Sequence, residues 1–291
     1  MILLADSGTS KCDWVFVDNL QHDRYFEIQT VGLNPTYYTE NEITGIINNN
    51  NDFLSIKSHV EKIYFFGSGC GLPEVQEKMK EVLSRSFFKA KEIYVAADTE
   101  AAIYACTEGP AVVSILGTGS NCCYFDGTKA EYRIPSLGYL LMDDGGGNRI
   151  GRSCHRAYFY DKMPGELKEK FSDRYSLDVA DIRKKLYSEG KPSQFMASFA
   201  PFVFENKAHE FMSGLIKEEL TAFFDNVLAA YDEELKNYKL HFAGSVAHHG
   251  REWIESLCES KGIELGHIVE RPIVKLAEKV DHLDKYLSQK M

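Results

Sequence analysis

The stretch ILLADSGTSKCDWVFV, residues 2–17, sets two apolar runs on either side of an acid and a short Gly/Ser/Thr turn. Residues 2–5 and 12–17 read as strands, and after Asp6 the turn Ser7-Gly8-Thr9-Ser10-Lys11 joins them into a β-hairpin. Such a turn is either a plain tight connection or a cradle for phosphate. In a cradle, successive N–H groups and hydroxyls face one anion, with glycine permitting positive φ. A Walker A loop and a Rossmann fingerprint are both excluded, because each leads into a helix and this turn leads into a strand.

Asp6 ends the first strand, where open α/β sheets place their ligands. An acid beside a phosphate loop is unfavourable unless a cation lies between them. Asp6 therefore reads as a Mg²⁺ ligand, direct or through water, and can also cap the turn by an Asx hydrogen bond. The pattern returns in ILGTGSNCCYFDG, residues 115–127. Aligning Ser10-Lys11-Cys12 on Ser120-Asn121-Cys122 gives an offset of 110 residues. Solenoid units span about 20–50 residues, so this is a duplicated domain. Two such turns could clamp a polyphosphate from both sides.

A third strand over 25–31 follows the opening hairpin, then a helix over 40–50 that runs into the Asn-rich loop 48–51. Strands at 62–66 and 92–96 alternate with helices at 74–87 and 99–106. Antiparallel strands followed by βαβ units make a mixed sheet with helices on it. The second half opens with strands at 111–116, 122–125 and 132–134. It then turns almost wholly helical from 148 to about 236, with breaks near Pro164, at 190–192 and near Pro201. A strand at 240–243 and helices at 246–260 and 272–287 close the chain. Glu-Gly-Pro at 108–110 interrupts the pattern and marks the domain boundary.

At 291 residues, 44% hydrophobic and 26% charged, the composition is that of an ordinary globular chain with two lobes or one large α/β domain. A net charge of −10 argues against nucleic-acid and anionic-membrane surfaces, and no stretch reaches the roughly 18 apolar residues of a membrane span. It leaves nucleotides open, since Mg²⁺ and backbone N–H groups neutralise phosphate locally. The seven cysteines are odd in number and lack metal-ligand spacing, which fits reduced, buried thiols in a cytoplasmic protein; no signal-peptide pattern opens the chain.

Three further segments carry candidate chemistry. In YVAADTEAAIYA, Asp98 ends a strand before a helix, as an N-cap or as a general base for a substrate hydroxyl. In SLGYLLMDDGGGNRIGR, residues 136–152, Asp143-Asp144 and three glycines enter a helix, a segment able to present carboxylates and helix-start N–H groups to a polyol. In HFAGSVAHHG, residues 241–250, a Gly-Ser turn between strand and helix can pack against adenine, while His248 and His249 read as ordinary helix residues.

Together these residues resemble the sugar-kinase/Hsp70/actin superfamily, over essentially the whole chain. They are most similar to its BadF/BadG/BcrA/BcrD ATPase branch, which includes the eukaryotic-type N-acetylglucosamine kinases. Asp6-Ser7-Gly8-Thr9-Ser10-Lys11 resembles the first phosphate loop, D-G-G-G-T-K, with Ser7 and Thr9 in place of glycines. Gly117-Thr118-Gly119-Ser120-Asn121 resembles the second. Asp98-Thr99-Glu100-Ala101-Ala102 resembles the segment whose Asp is the catalytic base. Ala243-Gly244-Ser245-Val246 resembles the adenosine motif. The 136–152 segment resembles G-W-G-x-L-L-G-D-E-G-S, with Tyr139, Met142, Asp144 and Gly146 in place of Trp, Gly, Glu and Ser. The C-x-C-G-x-x-G-C zinc motif of the repressor-type sugar kinases is not in the sequence.

The resemblance implies an α/β fold of two ribonuclease-H-like, actin-like ATPase domains, with mixed sheets flanked by helices and a nucleotide and sugar cleft between them. The domains are 1–107, with the closing helix 272–291 packed back onto it, and 108–271 with a helical insertion. It implies ATP and Mg²⁺ as cofactors and an aminosugar as substrate. The phosphates go to Gly8, Thr9, Ser10, Lys11, Gly117, Thr118, Gly119 and Ser120, and the adenosine to Gly244 and Ser245. The sugar goes to Asn34, Asp98, Thr118, Asp143 and Asp144, with Asp98 as base and Asp6 for Mg²⁺. A homodimer is left open. Two alternatives stand beside the aminosugar kinase. One is an ATPase that activates a 2-hydroxyacyl-CoA dehydratase, with Cys122, Cys123 and Cys154 as cluster ligands; the other is a nucleotide switch without kinase activity.

Overall fold

The computed structural model describes residues 1–18 and 25–288. The chain forms two compact units, one of Met1–Glu108 with Arg271–Met291 and the other of Gly109–Glu270.

In the first unit, β1 (Ile2–Ser7), β2 (Lys11–Val17), β3 (Tyr25–Val31), β4 (Lys62–Gly67) and β5 (Glu92–Ala97) form one sheet in the order β3-β2-β1-β4-β5. β1 pairs antiparallel with β2 and parallel with β4, and β4 pairs parallel with β5. Side chains alternate across a strand, so Leu3 and Ala5 share one face with Trp14 and Phe16. There Trp14 meets the rings of Phe53, Phe65 and Phe87 at 5.2, 6.0 and 6.2 Å, while its indole N–H donates to Thr30 Oγ1 at 3.0 Å. The helices Glu40–Asn48 and Pro73–Ser86 pack together over this side. The helix Pro272–Glu278 returns to β1, β2 and the helix Asp98–Cys106.

The second unit repeats this plan with β6 (Ala111–Leu116), β7 (Ser120–Phe125), β8 (Ala130–Glu131), β9 (Leu240–Ala243) and β10 (Leu265–Val269), ordered β10-β9-β6-β7-β8. Again the first strand is central, antiparallel to the second and parallel to the fourth. β1 and β6 begin at 2 and 111, β2 and β7 at 11 and 120, so the hairpins are offset by 109 residues. The motif alignment is one residue longer because it matches Ser-x-Cys, whereas backbone pairing decides the register. Between β8 and β9 runs the helical segment. Pro164 immediately precedes one of its helices, and Pro192 and Pro201 lie within the first two residues of two others.

Several elements differ from the sequence reading. Residues 132–134 are not strand, because the Arg133 N–H donates to the Tyr231 hydroxyl at 3.0 Å instead of to a neighbouring strand. β10 carries no clear sequence signal: its residues are all partly or fully exposed at a sheet edge, and its register slips between Leu265 and Ile268. The expected helix 246–260 is two helices parted at Gly250, and 272–287 is two parted at Lys279. The Asn run is no simple loop; Asn49 ends one helix and Asn50 caps the next through its side chain on the Asp52 N–H. All seven cysteines are buried. Among the described residues, no helix is long and apolar enough to cross a membrane.

Trp14→Ala empties the centre of the first unit's core. A loss of about 3–5 kcal/mol in unfolding free energy is expected. Chemical denaturation checks it.

Candidate functional site

In the first unit, β1, β4 and β5 end level, with Ser7, Gly67 and Ala97 as neighbours across the ladder. Asp6 lies one residue before that edge and Asp98 one residue beyond it. Asp98 is not the helix cap: β5 runs straight into the helix, Ala97 takes the cap position, and Asp98 is the first helical residue. Loss of solvation pushes the Asp98 carboxyl up to about 6, against the pull of its own and the Thr99 backbone N–H groups. Asp6 is pushed up to about 7, first by desolvation, then by the negative charges of Asp98 and Asp13. The two acids therefore share one field.

The cations nearby are engaged elsewhere. Lys11 Nζ bonds Asp13 Oδ2 at 2.8 Å, Gln29 Nε2 donates to Asp13 Oδ1 at 2.7 Å, and Arg271 bonds Glu27. A phosphate at Lys11 would compete with Asp13. Glycine freedom does not shape these turns, since Gly8, Gly117 and Gly119 all lie outside the left-handed region. Ser10 O accepts from the Gly32 N–H at 3.2 Å, which holds the first turn against residue 32. Ser7, one of the departures from glycine, braces the chain beside the turn. Its Oγ accepts from the Leu33 N–H at 2.8 Å and its carbonyl from the Ser68 N–H at 2.7 Å. Asn34 is buried next to this anchor. Its Oδ1 accepts from the Thr36 N–H at 2.8 Å, and its Nδ2 donates to Ser68 Oγ at 3.3 Å.

Among the described residues, no group of three or more His, Cys, Asp or Glu side chains could hold a metal. A hydrated Mg²⁺ needs less, because one or two carboxylates suffice beside phosphate oxygens and water. Asp6, crowded by two negative charges and ion-paired to neither nearby cation, fits that demand.

In the second unit the 117–120 turn, the 143–148 loop and Gly244 converge. Gly147 and Asn148, the first residues of the helix Gly147–Phe159, donate their N–H groups to the carbonyls of Gly117 and Thr118, both at 2.8 Å. These helix-start groups are thus committed to the turn, not offered to a polyol. Asp143, at φ 68, directs its carboxylate to the Ser120 N–H at 3.5 Å and to Asn148 Nδ2 at 2.7 Å. A β-carbon at 119 would lie 2.6 Å from Asp143 Oδ2, so residue 119 is glycine for lack of room. Gly244 has φ 106, and a β-carbon there would lie 2.5 Å from Leu116 O; it wedges between β9 and the start of the turn, with Ser245 opening the next short helix. Asp144 is held by Arg149 Nη2 at 3.2 Å and Asn226 Nδ2 at 2.9 Å, and Arg149 also reaches the buried Glu219 at 3.3 Å. His248 faces Glu270 at 3.6 Å and His249 lies 5.7 Å from the Phe204 ring, both on the helix Ser245–His249.

Sequence reasoning missed Asn148 and Ser193, which meet from positions 45 residues apart, and the bracing role of Ser7. Their signal was a polar residue at a position buried by an adjoining helix or loop, visible only once the partners were known.

No family model matches the chain, and no curated protein matches it. Solved structures do. A candidate N-acetylglucosamine kinase from Porphyromonas gingivalis is 31% identical, with a TM-score of 0.86 over 96% of this chain and 98% of that one. A candidate N-acetylglucosamine kinase from Chromobacterium violaceum is 12% identical, with a TM-score of 0.66 over 95% and 97%. A ROK family glucokinase from Streptomyces griseus, solved with glucose and AMPPNP, is 13% identical, with a TM-score of 0.57 over 95% and 96%. The last two share the fold.

Asp6→Asn removes a charge that the ligand-free fold disfavours. A raised carboxyl pKa stabilises the fold at low pH, and that contribution is lost as pH rises toward 7. The variant is therefore expected to melt a few degrees above the parent at pH 8 without ligand. The gap should close as pH falls from 7 toward 4. Thermal unfolding across pH checks this.

Proposed function

The chain belongs to the sugar kinases of the actin-like ATPase fold, and on that premise we propose that it phosphorylates the 6-hydroxyl of N-acetylglucosamine or a close relative from Mg·ATP. The observation that carries this reading is Asp98, at the end of β5 with its carboxyl raised to about 6. A base serves best when its pKa lies near the working pH, and a carboxylate in a strand-end position can meet a substrate hydroxyl. Similarity to the P. gingivalis protein supports the choice of aminosugar.

In this proposal Asp98 orients the attacking hydroxyl and takes its proton. The turns at 8–11 and 117–120 bind the β- and γ-phosphates through backbone N–H groups and hydroxyls, and Gly244 and Ser245 receive the adenosine. Asn34, Asp98, Thr118, Asp143 and Asp144 form the sugar contacts. Bound Mg²⁺, held by Asp6 and water, supplies positive charge to the phosphates. Positioning and charge stabilisation then do most of the catalysis. We assign the chain to the BadF/BadG branch on its Gly117–Asn121 and Asp98–Ala102 segments. The dehydratase-activator alternative is disfavoured, because a cluster shared between two subunits needs thiols at a surface, and Cys122, Cys123 and Cys154 are all buried, Cys122 and Cys154 within the second unit's apolar core.

Asp98→Asn is expected to lower kcat by about 10²–10⁴-fold with sugar affinity nearly unchanged. In the parent, kcat/KM should fall tenfold per pH unit below about 6, as the base is protonated in the free enzyme. A coupled ADP assay over a panel of aminosugars measures both. Near-normal turnover by the variant would remove Asp98 from its role.

A further inference from the structure

We propose that Asn148 is a positioning residue: its side-chain amide, anchored on Ser193, fixes Asp143 and through it the shape in which the 117–120 turn receives nucleotide phosphate. The proposal rests on the reading of that turn as a phosphate site. Asn148 is 1% exposed and stands second in the helix Gly147–Phe159. Its Nδ2 spans two groups, Asp143 Oδ2 at 2.7 Å and Ser193 Oγ at 3.0 Å. Its backbone N–H holds Thr118 O. One residue thus grips the turn from its main chain and, through Asp143 and the Ser120 N–H, from its side chain.

The orientation of the amide is imposed. Among the described residues Asn148 Oδ1 is buried without a partner, so the flipped amide gains no acceptor site and would set an oxygen against the Asp143 carboxylate. Asp143 needs such a clamp. It is a non-glycine residue in the left-handed region, and it is 8% exposed beneath Gly119. Ser193 lies in the helix Pro192–Ala197, which packs on the helix Gly147–Phe159 so closely that a β-carbon at 151 would lie 1.9 Å from Met196 O. The anchor therefore belongs to a rigid pair of helices.

The test is ADP affinity by calorimetry, with no sugar present, together with amide exchange at Ser120. Asn148→Ala should weaken ADP binding about tenfold and speed Ser120 exchange about tenfold. Asn148→Asp replaces the donor by an acceptor and should bind about tenfold more weakly than the parent at pH 8. At pH 6, where the introduced carboxyl and that of Asp143 can share a proton, most of that loss should be regained relative to the parent at the same pH. The other charged groups acting on Asp143, Arg149 and Asp144, are unchanged by the substitution. A merely structural residue would show no such recovery. If Asn148→Ala fails to fold, Ser193→Ala decides, with about a threefold loss expected. Unchanged ADP affinity and Ser120 exchange in the folded variant, or no recovery at pH 6, overturn the proposal. A parent that binds ADP yet phosphorylates no aminosugar would overturn the functional reading and leave this one standing.

Discussion

β1 and β6 are each the central strand of a five-stranded sheet, paired antiparallel on one side and parallel on the other. A strand so placed is covered on both faces and is almost wholly apolar, the one hydroxyl inside β6, on Ser114, being buried and donating to Cys122 Sγ at 3.3 Å. Polar groups that meet a ligand then stand at its end, where pairing stops and the chain turns. That constraint puts Asp6 at the rim of the first sheet and the hydroxyl-rich turns directly after both strands. It also explains why the parallel neighbours matter: β5 ends at the same level, so Asp98 emerges beside Asp6 and the two carboxyls feel one another.

Around each turn the two units use different means for the same end. In the first, the chain around residues 32–34 and 68 holds Ser7 and the turn from the side by hydrogen bonds. In the second, the start of a thirteen-residue helix grips the turn's carbonyls and a buried carboxylate grips the amide at 120. Rigid supports of this kind let a loop hold a fixed shape before a ligand arrives. A preformed site avoids part of the ordering cost of binding.

Much of this was legible in the chain. Apolar runs with period two found most of the described strands in part or whole, and the proline positions found the helix starts, because both signals are local. The repeat was visible in the two hairpin turns. What escaped depended on partners far away in sequence. Residues 132–134 look like a strand until Tyr231 takes the Arg133 N–H. β10 hides because its Gly266 is there to admit the His241 ring, 2.4 Å from where a β-carbon would be. Gly119 reads as a flexible turn residue, yet it is small to make room for Asp143.

The burial patterns of β1 and β6 are the same residue for residue, each with one partly exposed position at the fifth place. In β1 that place is Asp6; in β6 it is Ile115. Two identical halves assembled as a symmetric pair would carry two such acids or none. Joining the halves in one chain lets them drift apart, so that one keeps the acid while the other loses it. The chain therefore repeats one sheet plan and carries the acid on only one copy of it, a state that separate identical subunits cannot reach.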